Sequence, residues 1–359
     1  MNILYDHQVF FWQRYGGISR YFYEIIRRIA LKESVFLFEG NYINDYGLEK
    51  LNEVKKYYGK RRPGIKYTGR IFRYLSRYNL IKFAQELLVD VYHPTYYEDF
   101  NINKGKLIIT VHDMIHELYS IDSKIIEIKK SIINKADGII CVSECTKNDL
   151  INILDIDENK IEVIYLGNSL NIEIKDNRLV KEPYILYVGN RGGYKNFDKY
   201  LQAIGQSKFK YEIIPVCFGG GNFNKNELQL IEKYGFKNKI KLFSGDDRIL
   251  ANLYKNAEIF VFPSLYEGFG IPPLEAMHYG TPVIASNVAS IPEVVGNAGI
   301  YFNPSDVEDI ADKIDAVLND KQLKKLLQIK GIQREKLFSW DNCASETLKF
   351  YKSISKGGK

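Results

Sequence analysis

The sequence predicts an α/β protein built from two doubly wound domains in tandem. Three observations carry that expectation. Short, β-branched apolar runs alternate with amphipathic stretches through most of the chain, and a polar segment ending in proline interrupts the alternation near its middle. At 359 residues the chain is also longer than one hydrophobic core usually organises.

In the first half the apolar runs are MNILYD, SVFLFEG, DVYHP, KLIITVHD, GIICVS and IEVIYLG. In the second they are YILYVG, YEIIPVCFG, KIKLFSG, EIFVFPS and PVIAS. Near-continuous apolar strands separated by helical segments read as parallel sheets covered on both faces. The segment from Leu170 to Pro183, LNIEIKDNRLVKEP, is the linker candidate, which puts the domains at 1–170 and 171–339. From Asp309 onward the pattern is amphipathic helix, and in SWDNCASETLKFYKSI Ser339 is placed to cap a last helix over 340–356. Sheets of this kind bind ligands outside the carboxyl ends of their strands, so the residues just after each run are the first candidates for function. Two such domains also create a cleft between them, a common ligand location.

Composition narrows the class. With 45% apolar and 26% charged residues this is an ordinary globular chain, not a disordered one. No apolar run reaches about 18 residues, so no membrane-spanning helix is expected. MNILYDHQVF lacks a basic stretch followed by an apolar one, so a cytoplasmic protein without a secretory signal is expected. Cys141, Cys145, Cys217 and Cys343 agree with that: a C-x3-C pair without a nearby His or Cys reads as free thiols, not as a zinc site.

The densest motif follows EIFVFPS. In SLYEGFGIPPLEAMHYGTPVIAS, Pro272 and Pro273 suit a helix's first turn, where a missing N–H costs nothing. Gly268, Phe269 and Gly270 then bring backbone N–H groups to a helix N-terminus, which attracts phosphate. Glu275 is expected in the same first turn and Glu267 on the loop before it. The acids either complement the helix dipole or hold a ligand. Their residue types alone leave both readings open.

Other strand ends add to this. NRGGYKNF sets Arg191 and Lys195 beside glycines, a pair suited to a diphosphate, although solvated loop charges would look the same. VCFGGGNF sets Gly219 to Gly221 after another run. Neither G-x-x-x-x-G-K-[ST] nor a strand leading into G-x-G-x-x-G occurs, which disfavours a Walker-type nucleotidase and an NAD enzyme. In the first half Gly16 and Gly17 precede a helical pattern, allowing close backbone approach to a ligand. His112 and Asp113 follow KLIITV. With His116 they lack the flanking Glu of a zinc helix, so His112 reads either as a polar group at a sugar or as a histidine satisfied by backbone.

Together these pieces resemble the retaining glycosyltransferases of the GT-B fold, family four, the glycogen synthase and mannosyltransferase clan of group 1 enzymes. The residues that carry the resemblance are EGFGIPPLE from Glu267 to Glu275, VGNRGGYKN, Gly16-Gly17 and VHD at Val111 to Asp113, in the family's order over nearly the whole chain. The resemblance implies two Rossmann-like domains facing a central cleft, the first binding acceptor and the second a nucleotide sugar, with the last helix crossing back to the first. It implies that Glu275 holds the ribose hydroxyls and that Glu267 faces the donor sugar. Backbone N–H groups of Phe269, Gly270 and Ile271 would serve sugar and diphosphate. Arg191 and Lys195, assisted by Gly17, would neutralise the leaving diphosphate, and His112 would contact the sugar. Phe243, Ser244 and Gly245 would hold the base, with Gly219 nearby. Two departures stand out. Only four positions separate Arg191 from Lys195, fewer than the family usually has, and LGNS at Leu166 to Ser169 replaces the usual NGV.

The chemistry implied is transfer with retention, without metal or other cofactor and without a covalent intermediate. Fixed cations and dipoles stabilise the diphosphate as it leaves. The donor implied is GDP-mannose, with a UDP-sugar as the alternative, and the acceptor a glycan or lipid-linked oligosaccharide of a surface polysaccharide such as lipopolysaccharide. One segment, Lys50 to Lys82, concentrates eleven Lys or Arg, one acid and six aromatics. Arg61, Arg62, Arg70 and Arg73 in it are candidates for binding the acceptor or the anionic inner face of a cell membrane. A solvated basic helix face is the alternative, and no nucleic-acid module accompanies the charge. The other functions left open are a GT-B nucleotide-sugar epimerase or hydrolase and a non-catalytic glycan- or membrane-binding protein.

Overall fold

The computed structural model describes residues 1–61, 69–102, 104–175 and 177–357. The chain forms two compact units, Met1–Leu166 together with Trp340–Lys359, and Gly167–Ser339.

The first unit holds a seven-stranded parallel sheet. Its strands are β1 (Asn2–Tyr5), β2 (Ser34–Phe38), β3 (Lys55–Tyr57), β4 (Val91–His93), β5 (Lys106–Val111), β6 (Gly138–Cys141) and β7 (Ile161–Val163), in the order 3-2-1-4-5-6-7. Leu4 sits between Phe36 and Tyr92 in register. The winding reverses between β1 and β4, the place where doubly wound sheets bind ligands. Helix α1 (Gly17–Ile29) follows β1 and buries Tyr21, Phe22, Ile25, Ile26 and Ile29. Each fully buried Ile or Phe of this kind contributes about 1.5–3 kcal/mol. Helix α2 (Gly69–Glu86) and helix α3 (Ser123–Lys135) complete the parts used below.

The last helix, Trp340–Ser355, belongs to this unit. Its Tyr351 hydroxyl lies 2.9 Å from that of Tyr5 and 2.5 Å from His93 Nδ1. Its Phe350 packs so close to Gly138 that a Cβ there would sit 2.9 Å from the ring.

The second unit repeats the winding with six parallel strands. These are β8 (Tyr184–Val188), β9 (Ile214–Phe218), β10 (Lys241–Phe243), β11 (Ile259–Phe262), β12 (Val283–Ser286) and β13 (Gly299–Phe302), in the order 10-9-8-11-12-13. Alternate residues enter different cores: Leu186, Val188, Phe260 and Phe262 one, Ile185, Tyr187, Ile259 and Val261 the other. Both faces are buried, which is why these strands are continuously apolar. The helices that matter below are α4 (Phe197–Gln206), α5 (Lys225–Lys233) and α6 (Ile271–His278).

The expected linker is corrected. Leu170 and Val180 are fully buried in the second unit's core, and the Ile172 backbone exchanges hydrogen bonds with the Tyr279 hydroxyl at 3.0 and 3.1 Å. Ile172 and Ile174 pack against the same core, most of the other described side chains of the segment face water, and the units divide earlier, after Leu166. All four cysteines are free thiols. Among the described residues no helix is long and apolar enough to cross a membrane.

Candidate functional site

In the second unit the candidate residues gather at the carboxyl ends of β8, β9, β10 and β11. The ladder continues past the strands: Gly189 N–H donates to Phe218 O and Gly219 N–H to Phe243 O, each at 3.0 Å. This sets the Gly219 loop beside Phe243, Ser244 and Gly245, the segment expected to hold a base. The loops after β8 and β11 are stitched together as well. Leu265 N–H donates to Tyr194 O at 2.7 Å, and the Asn196 side-chain amide reaches Pro263 O (3.0 Å) and Pro304 O (2.8 Å). The stitching brings Lys195 Nζ to 2.6 Å from Glu267 Oε1. Lys195 and Glu267 are therefore one charged pair at the strand ends, despite the short spacing from Arg191.

Arg191 does something other than expected. Its Nε donates to Glu227 Oε1 at 3.1 Å, and both side chains are almost wholly buried. Its two terminal nitrogens donate to the carbonyls of Gly219 (2.6 Å), Gly220 (3.2 Å), Gly221 (2.7 Å) and Asn222 (2.9 Å). The guanidinium also lies 4.7 Å from the Phe223 ring centre and 5.6 Å from that of Phe197. A cation already covered by a carboxylate, four carbonyls and two rings is not available to a diphosphate. Its job is to hold the glycine loop, in which Gly219, Gly220 and Gly221 all have positive φ. Arg191 as a diphosphate cation is corrected on that ground.

The glutamate motif needs one adjustment. Helix α6 starts at Ile271 with Gly270 as its cap, at φ +115°, and Pro272 and Pro273 lie in its first turn. Glu275 is the fifth helical residue, beyond that turn, so the dipole is not what holds it. Tyr254 does, through a hydroxyl that donates to Glu275 Oε2 at 3.0 Å. Burial and the carboxylate together push the Tyr254 pKa well above its usual value, which keeps that proton on the phenol. Upstream, the buried Ser290 Oγ lies 2.8 Å from the carbonyls of both Glu267 and Phe269, and Phe269 packs edge-on against Phe338. These contacts fix the loop through Gly268.

In the first unit Gly16 caps α1 with extended backbone, and a Cβ there would meet Gln13 Oε1 at 2.4 Å. At Gly17 a Cβ would meet nothing within 4 Å, so the backbone there is open to approach. The same helix packs Tyr21 edge-on against His112, with ring centres 5.1 Å apart. His112 Nε2 is buried and has no hydrogen-bond partner, and burial lowers its pKa to about 4. Nε2, at least, is not satisfied by backbone. Among the described residues no group of His, Cys, Asp or Glu is arranged to hold a metal ion.

Of the four arginines proposed for acceptor or membrane, Arg62 and the Arg70 side chain lie outside the described residues. Arg61 pairs with Asp45, which also pairs with Arg14, so its charge is compensated. Arg73 stands exposed on α2 with Ile71, Tyr74, Leu75 and Tyr78, its guanidinium 5.9 Å from the Trp12 ring centre.

Sequence reasoning missed Asn196, Ser290, Tyr254 and Glu227. Only Glu227 left a readable trace: Asn224-x-x-Glu227 is a capping box at the start of α5, and both of its bonds form. The others act on partners 21 to 108 positions away, which no local pattern reveals.

Known proteins are similar to this chain over nearly its whole length. Residues 15–171 match the family described as Glycosyltransferase Family 4, and residues 171–334 that described as Glycosyl transferases group 1. The O-antigen chain mannosyltransferase B of Escherichia coli is 28% identical, over 94% of this chain and 96% of its own length. The O-antigen chain mannosyltransferase RfbU of Salmonella typhimurium is 34% identical over 63% of this chain and 64% of its own. The crystal structure of Anabaena HepE in complex with UDP and glucose superposes with a TM-score of 0.79 at 17% identity, covering 98% of this chain and all of that one.

Proposed function

This chain belongs to the group 1, family 4 glycosyltransferases, and we propose that it moves mannose from GDP-mannose, with retention, to a hydroxyl of a growing polysaccharide or its lipid-linked precursor. Mannose is favoured by the O-antigen chain mannosyltransferase that is similar over almost the full length of both chains. The observation that carries the transfer reading is the Lys195–Glu267 pair on the loops after β8 and β11, followed in the same motif by Glu275 on α6, which Tyr254 holds. Lys195 supplies positive charge where the diphosphate leaves, and Glu275 offers a fixed carboxylate to ribose hydroxyls. Preorganised charge of this sort stabilises a leaving group without a protein nucleophile. A retaining hydrolase would instead need a second carboxylate about 5 Å from the first, flanking the sugar. Glu267 is occupied by Lys195, which argues for same-face attack by the acceptor with the phosphate taking its proton.

The test is a thermal-shift panel of GDP-, UDP-, ADP- and dTDP-sugars. GDP-mannose should stabilise the wild type and fail to stabilise Glu275→Ala. Product analysis by NMR should show the α-anomer, and transfer should survive EDTA. If no nucleotide sugar shifts the wild type, or free mannose forms without acceptor, the proposal is wrong.

The exposed apolar and basic face of α2 supports a second reading, contact with an anionic membrane or with a lipid-linked acceptor. Ile71, Arg73, Tyr74 and Tyr78 all project from it into solvent.

A further inference from the structure

Lys129 and Glu117 form an ion pair wholly inside the first unit, their side chains 1% and 3% exposed. Nothing proposed above uses it. A buried ammonium costs several kcal/mol unless its attraction and hydrogen bonds offset the lost water. Such a pair is therefore poor evidence for stability and calls for another account.

Its contacts supply one. Lys129 Nζ donates to the Asp113 carbonyl at 2.5 Å and to Glu117 Oε2 at 3.1 Å, and lies 5.3 Å from the centre of the Tyr97 ring. Both outward contacts lead to His112. Asp113 is the next residue in the chain, and the Tyr97 hydroxyl accepts the His112 backbone N–H at 3.4 Å. Glu117 Oε1 is buried and bonded to nothing, so that carboxylate balances charge more than it shapes the loop. Opposite, Tyr21 and Phe22 wall in the imidazole edge-on. Its Nε2 is left as a polar atom with no protein partner.

We propose that Lys129 is a positioning residue for His112, fixing the loop after β5 through the Asp113 carbonyl and through Tyr97, whose hydroxyl accepts the His112 N–H, so that the partly exposed imidazole meets the sugar. This rests on the reading of His112 as a sugar contact. The electrostatics point the same way. The Lys129 charge and burial oppose protonation of His112 while Asp113 favours it, and burial dominates. His93 on β4 is mutually repelled when both imidazoles charge. Tyr21 and Tyr97 stay neutral, their pKa values pushed up by burial. His112 is thus held uncharged, able to donate or accept a hydrogen bond but not to repel an oxocarbenium-like sugar.

The test is the paired substitution Lys129→Met with Glu117→Gln in the full chain, which removes both charges at once. Two readouts are needed: the His112 imidazole titration by NMR, and steady-state transfer from GDP-mannose. The His112 midpoint should rise above about 4, and kcat should fall about a hundredfold, the scale of a misplaced reacting geometry. The donor KM should stay within about twofold, because uniform binding is untouched. A folded double variant with wild-type titration and wild-type kcat would overturn the proposal. Should the double variant not fold, Tyr97→Phe decides. It deletes only the hydroxyl and should lower kcat about threefold, as loss of one hydrogen bond does; an unchanged kcat overturns the proposal. His112→Ala separates the two claims. Full transfer activity there refutes the sugar contact itself, whereas the NMR midpoint still reports whether Lys129 governs His112.

Discussion

Replacing Arg191 by Met distinguishes a loop clamp from a diphosphate ligand. In the clamp, Arg191 neutralises a buried Glu227 and covers four carbonyls. Glu227 cannot escape to water, because its other oxygen accepts the Asn224 N–H at 2.7 Å in the capping box. Breaking a buried pair by removing one partner costs about 3–5 kcal/mol. In a unit spanning Gly167–Ser339, each kcal/mol lowers the melting temperature by roughly 2–4 °C. Arg191→Met should therefore melt roughly 6–20 °C below wild type without any ligand present. Adding Glu227→Gln, which keeps the capping geometry but removes the stranded charge, should recover about half of that loss. Differential scanning calorimetry of the three proteins checks it. If Arg191→Met melts within about 2 °C of wild type while donor affinity collapses, the guanidinium acts on the diphosphate and the clamp is wrong.

Four further outcomes are expected. Gly220→Ala should lose about 1–3 kcal/mol in urea unfolding, because φ is +74° there and the new Cβ would lie 2.6 Å from Arg191 Nη1. Lys195→Met should weaken donor binding about 10- to 100-fold by calorimetry, the value of a charged hydrogen bond. The folded-state pKa values of His112 and His93 are depressed, to about 4 and about 3, so the unfolded chain binds protons first as pH falls. Stability should be full above pH 6.5 and decline from there through pH 4, by about 3 kcal/mol for His112 alone, in chemical denaturation across that range. Arg73→Ala with Tyr74→Ala should reduce partition onto anionic vesicles and leave transfer to a soluble acceptor intact; unchanged partition removes the membrane reading.

The winding of both sheets was legible because burial on two faces forces continuous apolar strands, and every run quoted from the sequence lies on or beside a strand of the structure. The segment 170–183 misled because polarity was taken for a linker. Leu170 and Val180 carry its packing, with Ile172 and Ile174 against the same core, and so few apolar residues do not dominate the composition of the segment. The site was legible in part for a related reason. Glycines, prolines and charges after a strand mark where a ligand can come, but not which charge is free to meet it. Arg191 and Lys195 stand four positions apart in one loop and look equivalent as letters. Their difference lies in Glu227, on α5, which takes Arg191, and in Glu267, after β11, which takes Lys195. Buried Lys129 was unreadable for the same cause: in SKIIEIKKSIINK it looks like its neighbour Lys130, which stands in solvent. A charge acquires its role from the partner the fold brings to it, and that partner is decided by the crossing of loops at the strand ends.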